Sequence, residues 1–240
     1  MKSSPTNKVR QCGFALAAAA LFVAQPTLAD SLTFNGLFYS GADTVHIRDT
    51  AAPTFAEYVY SGGFRMTDTS GPTLSVGTSF MAWCIDTRDN MQSARYTLTA
   101  DSAYVPSSHV PLTGARIEAL ERLASNDLAS VTNAVTSSAF QLAAWEIMSD
   151  NSGTLNFTTG NFTASGSALG AIGTAQSWLN NLGTATPTME LSVWRADVQG
   201  STQDLAVFAA PVPEPETYAM LLAGLGLMGF VANRRKQKAV

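Results

Sequence analysis

Lysine is missing from most of this 240-residue chain: its lysines are Lys2, Lys8, Lys236 and Lys238, all in the terminal segments. Between residues 11 and 233 the basic groups are seven arginines, and residues 30–212 set these against sixteen carboxylates, a net charge of −9. So acidic a stretch is poorly suited to displacing counterions from phosphate, which argues against nucleic-acid binding. Without lysine it also holds no P-loop. Histidine and cysteine are as scarce, at two each. His46, His109 and Cys84 show no metal-ligand spacing, and Asp86, Asp89 and Asp101 lack the glycine and closing glutamate of a calcium loop. No metal and no cofactor are therefore expected.

The terminal basic residues each border an apolar run. At the N-terminus Lys2, Lys8 and Arg10 precede the apolar stretch Gly13 to Ala24, and Thr27-Leu28-Ala29 follows it. Basic, apolar and small segments in that order predict a signal peptide over 1–29, cut between Ala29 and Asp30 by signal peptidase. Cys12 lies within it, leaving Cys84 as the single cysteine of the exported chain. At the C-terminus Val212-Pro213-Glu214-Pro215 leads into an apolar run over 218–232 and then Arg234-Arg235-Lys236. That run is short for a permanent bilayer helix, but the basic stop predicts a temporary anchor in the inner membrane with the arginines in the cytoplasm.

The order of V-P-E-P, the glycine-rich apolar run Leu221 to Gly229, and Arg234-Arg235 resembles a PEP-CTERM sorting signal, here 211–240. The resemblance implies processing by the membrane protease exosortase in a Gram-negative bacterium that makes exopolysaccharide, with Pro213, Glu214 and Pro215 as the recognised motif. It implies a protein that crosses the inner membrane, is held there transiently, and ends at the cell surface or in the extracellular matrix.

Residues 30–210 are long enough for one domain with its own core. Ser31 to Phe38, Glu57 to Thr67, Thr73 to Ile85 and Arg95 to Thr99 read as strands, rich in Val, Tyr, Phe and Thr between glycine and proline breaks. Thr113 to Ala124, Asn133 to Met148 and Ser167 to Leu182 carry apolar residues at helical spacing. Leu191 to Val198 and Leu205 to Ala209 return to strand character. Strands, then helices, then strands predict an α+β domain whose sheet is completed by the C-terminal strands.

Cys84 sits in Phe80-Met81-Ala82-Trp83-Cys84-Ile85-Asp86. A lone cysteine in an oxidising compartment must be buried or otherwise bonded. Gln141 sits in Ser138-Ala139-Phe140-Gln141-Leu142-Ala143-Ala144-Trp145, where an amide among apolar neighbours needs a partner or costs about 1–3 kcal/mol. Attack of the Cys84 thiolate on the Gln141 carboxamide, with loss of ammonia, would satisfy both as an internal thioester. A backbone bond for Gln141 and simple burial for Cys84 would do so too.

Trp83-Cys84 and the run Gln141, Ala143, Trp145 resemble the Cys-Gln thioester domains of bacterial surface proteins. Phe140 and Ala144 depart from the usual Thr and aliphatic residue of that motif. The resemblance implies a β-rich sandwich or barrel-like unit with an inserted helical subdomain, and covalent capture of a surface amine or other nucleophile. Trp83, Phe140 and Trp145 would shield the bond from water, and the absence of lysine would spare the domain from linking to itself. On this reading the chain is an adhesive surface protein and not an enzyme. The alternatives are a structural or carbohydrate-binding matrix protein, with Trp178 and Trp194 near Asn180, Asn181 and Gln199 stacking exopolysaccharide, and a Cys84-His109-Asp86 hydrolase, for which no local signature exists.

Overall fold

The computed structural model describes residues 29–41, 43–50, 54–71, 73–99, 104, 111–150, 153–211, 221–225 and 227–228. Six strands close an antiparallel barrel: β1 (Ala29–Leu37), β4 (Phe64–Asp68), β5 (Ser79–Cys84), β9 (Leu205–Ala209), β8 (Glu190–Ala196) and β6 (Ala94–Thr99), in that order around it. The closing strand is β1, whose Leu32 faces Asp68 of β4 on one side and Ala94 of β6 on the other. Its pairing with β4 slips between Phe34 and Leu37, where Gly36 takes a positive φ of 88° that a side chain would resist.

The remaining strands form a separate sheet in the order β3 (Phe55–Ser61), β2 (Asp43–Asp49), β7 (Phe162–Ser165). Three helices, α1 (Gly114–Asp127), α2 (Ala134–Ser149) and α3 (Ala171–Asn180), are inserted between β6 and β8. The α+β expectation therefore holds as a barrel carrying helices.

Several local expectations change. Glu57 to Thr67 is two strands, because Gly62 and Gly63 break it and send β3 and β4 into different sheets. Only the last part of Thr73 to Ile85 is strand, after a turn at Gly77. Asp43 to Arg48, given no strand above, is part of the central strand of the small sheet, with Val45 and Ile47 fully buried and Thr44, His46 and Arg48 on the outward side. Helix α3 starts at Ala171, later than Ser167, since Gly170 at φ 78° precedes it and the Ser167 hydroxyl accepts the Ala171 N–H at 2.8 Å.

Helix α2 departs most from an amphipathic pattern. It opens on a capping box in which Asn133 accepts the Thr136 N–H, and from Ser137 to Ser149 every residue is buried. Helices α1 and α3, strands β2, β3 and β7, and barrel strand β5 all touch it. Its first two buried serines are satisfied by neighbours: Ser137 Oγ accepts the Gly63 N–H at 2.9 Å, and Ser138 Oγ lies 2.6 Å from Ser61 Oγ. Asp43 joins this network, reached by Ser138 Oγ at 3.4 Å, by the Leu169 N–H at 3.0 Å and by the Ser167 hydroxyl. Arg116 of α1 closes the other end of α2, donating to the carbonyls of Ile147 at 3.2 Å and Asp150 at 3.0 Å.

The expected signal peptide lies outside the described residues, apart from Ala29, which with Asp30 opens β1. Pro213, Glu214 and Pro215 also lie outside them. Residues 221–225 and 227–228 are helical and exposed, and among the described residues no helix is long and apolar enough to cross a membrane.

Gly63 is a sensitive point of the core. A Cβ there would stand 3.0 Å from two atoms of the Trp83 ring and 3.1 Å from Met81 Cγ. Trp83 is buried against Phe140 with ring centroids 4.3 Å apart, so it has little room to retreat. Gly63→Ala is expected to cost about 1–3 kcal/mol of stability by overpacking, read as a lower midpoint in urea unfolding.

Candidate functional site

Cys84 is the last residue of β5 and lies opposite Leu205 of β9. On its other side β4 begins at Phe64, opposite Ala82, so two residues further on no strand meets the backbone of Cys84. The Gln141 side chain, projecting from the middle of α2, fills that place. Its Oε1 accepts the Cys84 N–H at 2.9 Å, and its Nε2 donates to the Cys84 carbonyl at 2.8 Å. A carboxamide carries one acceptor and one donor side by side, as a peptide group does, and here it extends the β ladder by one rung. Both residues are fully buried.

The thiol points into the turn that follows. Cys84 Sγ donates to the Asp86 carbonyl at 2.6 Å and accepts the Asp86 N–H at 3.3 Å. Burial pushes its pKa well up, the negative charge of Asp86 adds to this, and Asp204 adds further. The resting group is therefore a neutral thiol.

Trp83, Phe140 and Trp145 are all buried around the pair. Trp83 lies on Phe140, which also meets Phe208 edge-on at 5.8 Å, while Trp145 packs near Phe162 at 6.4 Å. Trp145 follows Gln141 by one helical turn on the same face of α2. Its indole N–H approaches the Cys84 thiol closely enough to favour a thiolate but meets no acceptor in hydrogen-bond geometry.

Sequence reasoning passed over Tyr104 and Asp204. The Tyr104 hydroxyl donates to Asp204 Oδ2 at 2.8 Å, and Asp204 Oδ1 accepts the Ala196 N–H at 2.7 Å. Burial raises both groups' pKa values, and Asp204 adds to the rise at Tyr104. Nothing in Thr202-Gln203-Asp204-Leu205 distinguishes that aspartate from a turn residue before a strand. Asp86, named above only in the calcium-loop and hydrolase readings, supplies the backbone that holds the thiol.

The carbohydrate grouping does not assemble. Trp194 is buried beside Phe80, Trp178 packs towards Phe140, and Gln199 is turned onto the Ala196 carbonyl. His46 stacks edge-on with Tyr58 at 4.9 Å on the small sheet, and His109 lies outside the described residues. Among the described residues no group of three His, Cys, Asp or Glu side chains could hold a metal ion.

A sorting motif is matched over residues 211–236, directly after the last barrel strand. Those residues are a PEP-CTERM protein-sorting motif. The PEP-CTERM motif implies an exported surface protein, processed by an exosortase and anchored in a membrane during sorting. No curated protein matches the chain in sequence. In structure it is similar to the N-terminal thioester domain of a surface protein from Clostridium perfringens. The cysteine-to-alanine variant of that domain is 11% identical with a TM-score of 0.43, covering 70% of this chain and 99% of that one. The domain without that substitution is 14% identical with a TM-score of 0.39, covering 70% and 100%. The N-terminal domain of the pilus tip adhesin Cpa from Streptococcus pyogenes is 12% identical with a TM-score of 0.40, covering 75% and 99%.

Glu146, beside Trp145 on α2, is fully buried; its Oε1 accepts the Asn156 N–H at 2.8 Å and its Oε2 has no partner. Burial pushes its carboxyl up from 4.5 to about 8, against the bond from Asn156 and with a smaller push from Asp150. The folded chain thus keeps a proton that the unfolded chain releases near 4.5, so stability is lost as pH rises from there towards 8. Glu146→Gln keeps an oxygen for Asn156 and removes that loss. Thermal unfolding should show variant and parent alike near pH 4, and the variant more stable by roughly 4 kcal/mol near pH 8.

Proposed function

We propose that Cys84 and Gln141 form an internal thioester and that the exported protein uses it to adhere covalently to a surface. The observation that carries this reading is the two-point bond between the Gln141 carboxamide and the Cys84 backbone, in a site closed to water. The Cys84 N–H already donates to Oε1, the atom on which negative charge develops when a sulfur adds to the carbonyl carbon, and a preorganised donor there lowers the barrier. In the step, the S–Cδ bond forms, the Cδ–Nε2 bond breaks, and the thiol proton leaves with the amide nitrogen as ammonia. The neutral resting thiol suits this balance, because it brings the proton that the leaving group needs.

A target amine then adds to the same carbon. The Gln141 acyl group passes to the amine nitrogen, and Cys84 departs as the thiol, recovering its place against Asp86. Trp83, Phe140 and Trp145 keep water from competing. Within this reading residues 1–29 are removed by signal peptidase between Ala29 and Asp30. Exosortase recognises Pro213, Glu214 and Pro215 while 218–232 rests in the inner membrane of a Gram-negative cell. Residues 30–210 are the adhesive domain.

Intact mass tests the chemistry. The purified chain is expected to weigh one ammonia less than its sequence, and mild methylamine should add to the Gln141 peptide while freeing one thiol. Cys84→Ala and Gln141→Ala should each abolish both changes. A chain of full sequence mass whose Cys84 is alkylated completely on unfolding in acid would end the thioester reading.

A further inference from the structure

Strand β3 pairs with β2 along one edge, in unbroken register from Asp43 opposite Ser61 to Asp49 opposite Phe55. Among the described residues no strand lies beside its other edge, and no further backbone hydrogen bond reaches Phe55 to Tyr60. Native edges of this kind are normally blunted by lysine, proline or a bulge. β3 has none of these: it reads Phe-Ala-Glu-Tyr-Val-Tyr-Ser, with Tyr58 and Tyr60 exposed at 71% and 72%.

A groove of about 450 Å³ runs beside this strand. Glu57 and Val59 line it, and so do Tyr58 and Tyr60. Successive strand side chains point to opposite faces, so a groove reached by both sets runs along the strand's edge and borders its outward N–H and C=O groups. A row of alternating backbone donors and acceptors is matched by one kind of ligand, an extended polypeptide. Glu57 and Asp89 put two carboxylates in the lining against one guanidinium, Arg88, which lies 3.9 Å from the buried Asp49, so the lining is net negative, in a domain whose middle carries −9. Trp145 and Gln203 also line the groove, and among the described residues the buried Trp145 indole N–H and Gln203 Oε1 have no hydrogen-bond partner. That tryptophan is the one that borders the Cys84 thiol.

We propose that this groove binds an extended, basic peptide as an added strand on β3, and that a lysine of this peptide is the amine delivered past Trp145 to the Cys84–Gln141 pair. The delivery step rests on the thioester reading; the docking does not. Docking by strand addition makes the target a segment able to lie flat along an edge, selected by backbone and charge ahead of any covalent step. The bond made is the amide from the Gln141 acyl carbon to the lysine Nζ; the bond broken is S–Cδ, and the amine proton passes to the Cys84 sulfur.

Docking is measured on the full chain carrying Cys84→Ala, which removes covalent chemistry, by calorimetric titration with a decapeptide of alternating lysine and threonine. Binding is expected. It should weaken at least tenfold when alternate backbone nitrogens along the paired edge of the peptide are methylated, and at least tenfold with Glu57→Lys, an exposed change that leaves the core alone. The matching glutamate-threonine peptide should not bind. No binding at millimolar peptide, or binding indifferent to both N-methylation and Glu57→Lys, overturns the proposal. So does a free chain already dimeric through β3, since a second copy would then occupy the edge. With Cys84 restored, a peptide that docks but adds no mass to a chain already one ammonia lighter than its sequence refutes the delivery step alone; if the ammonia is not lost, the thioester reading fails while the docking stands.

Discussion

One hydrogen-bonded pair organises this molecule: the carboxamide of Gln141 set against the peptide groups of Cys84. A buried amide without partners costs about 1–3 kcal/mol, and a strand end inside a protein leaves a donor and an acceptor in the same need. Each of these liabilities removes the other. Strand β4 must begin no earlier than Phe64 for the place to exist, and α2 must cross β5 at the height that brings Gln141 to it. The barrel and the helices are thereby held in a single relative position at the residues where chemistry is proposed.

Keeping such a pair dry needs cover on every side, and that requirement shapes α2. A helix with one wet face would bring water within a turn of Gln141. This helix is enclosed by two helices, the small sheet and the barrel, and its Ser137 and Ser138 are bonded to Gly63, Ser61 and Asp43 and not to solvent. Enclosure has a cost in Glu146, a carboxyl carried into the interior with one oxygen unpartnered.

Residue types that stand out chemically were legible from the sequence. A lone exported cysteine and a glutamine among apolar residues pointed to each other because both needed a partner, and the structure joins them through the Cys84 backbone. The sorting motif was legible because its signal is local. The small sheet was not: β2 and β3 lie between barrel strands in sequence but pair with β7 from the helical insertion, an exchange that alternation cannot reveal. Gly62-Gly63 reads in sequence as a break, but only the structure shows that the chain changes sheets there. Tyr104 and Asp204 become neighbours of the thiol only through barrel closure, so no spacing in the sequence announces them.

The pairing of Cys84 with Leu205 ties the site to the far end of the domain. Strand β5 comes early in the chain and β9 is the last strand of the barrel, only a few residues ahead of the sorting motif. Until β9 joins, one flank of Cys84 has no neighbour and the barrel cannot close. The site is thus sealed by the last barrel strand to be made, and a chain cut before residue 205 would lack that flank.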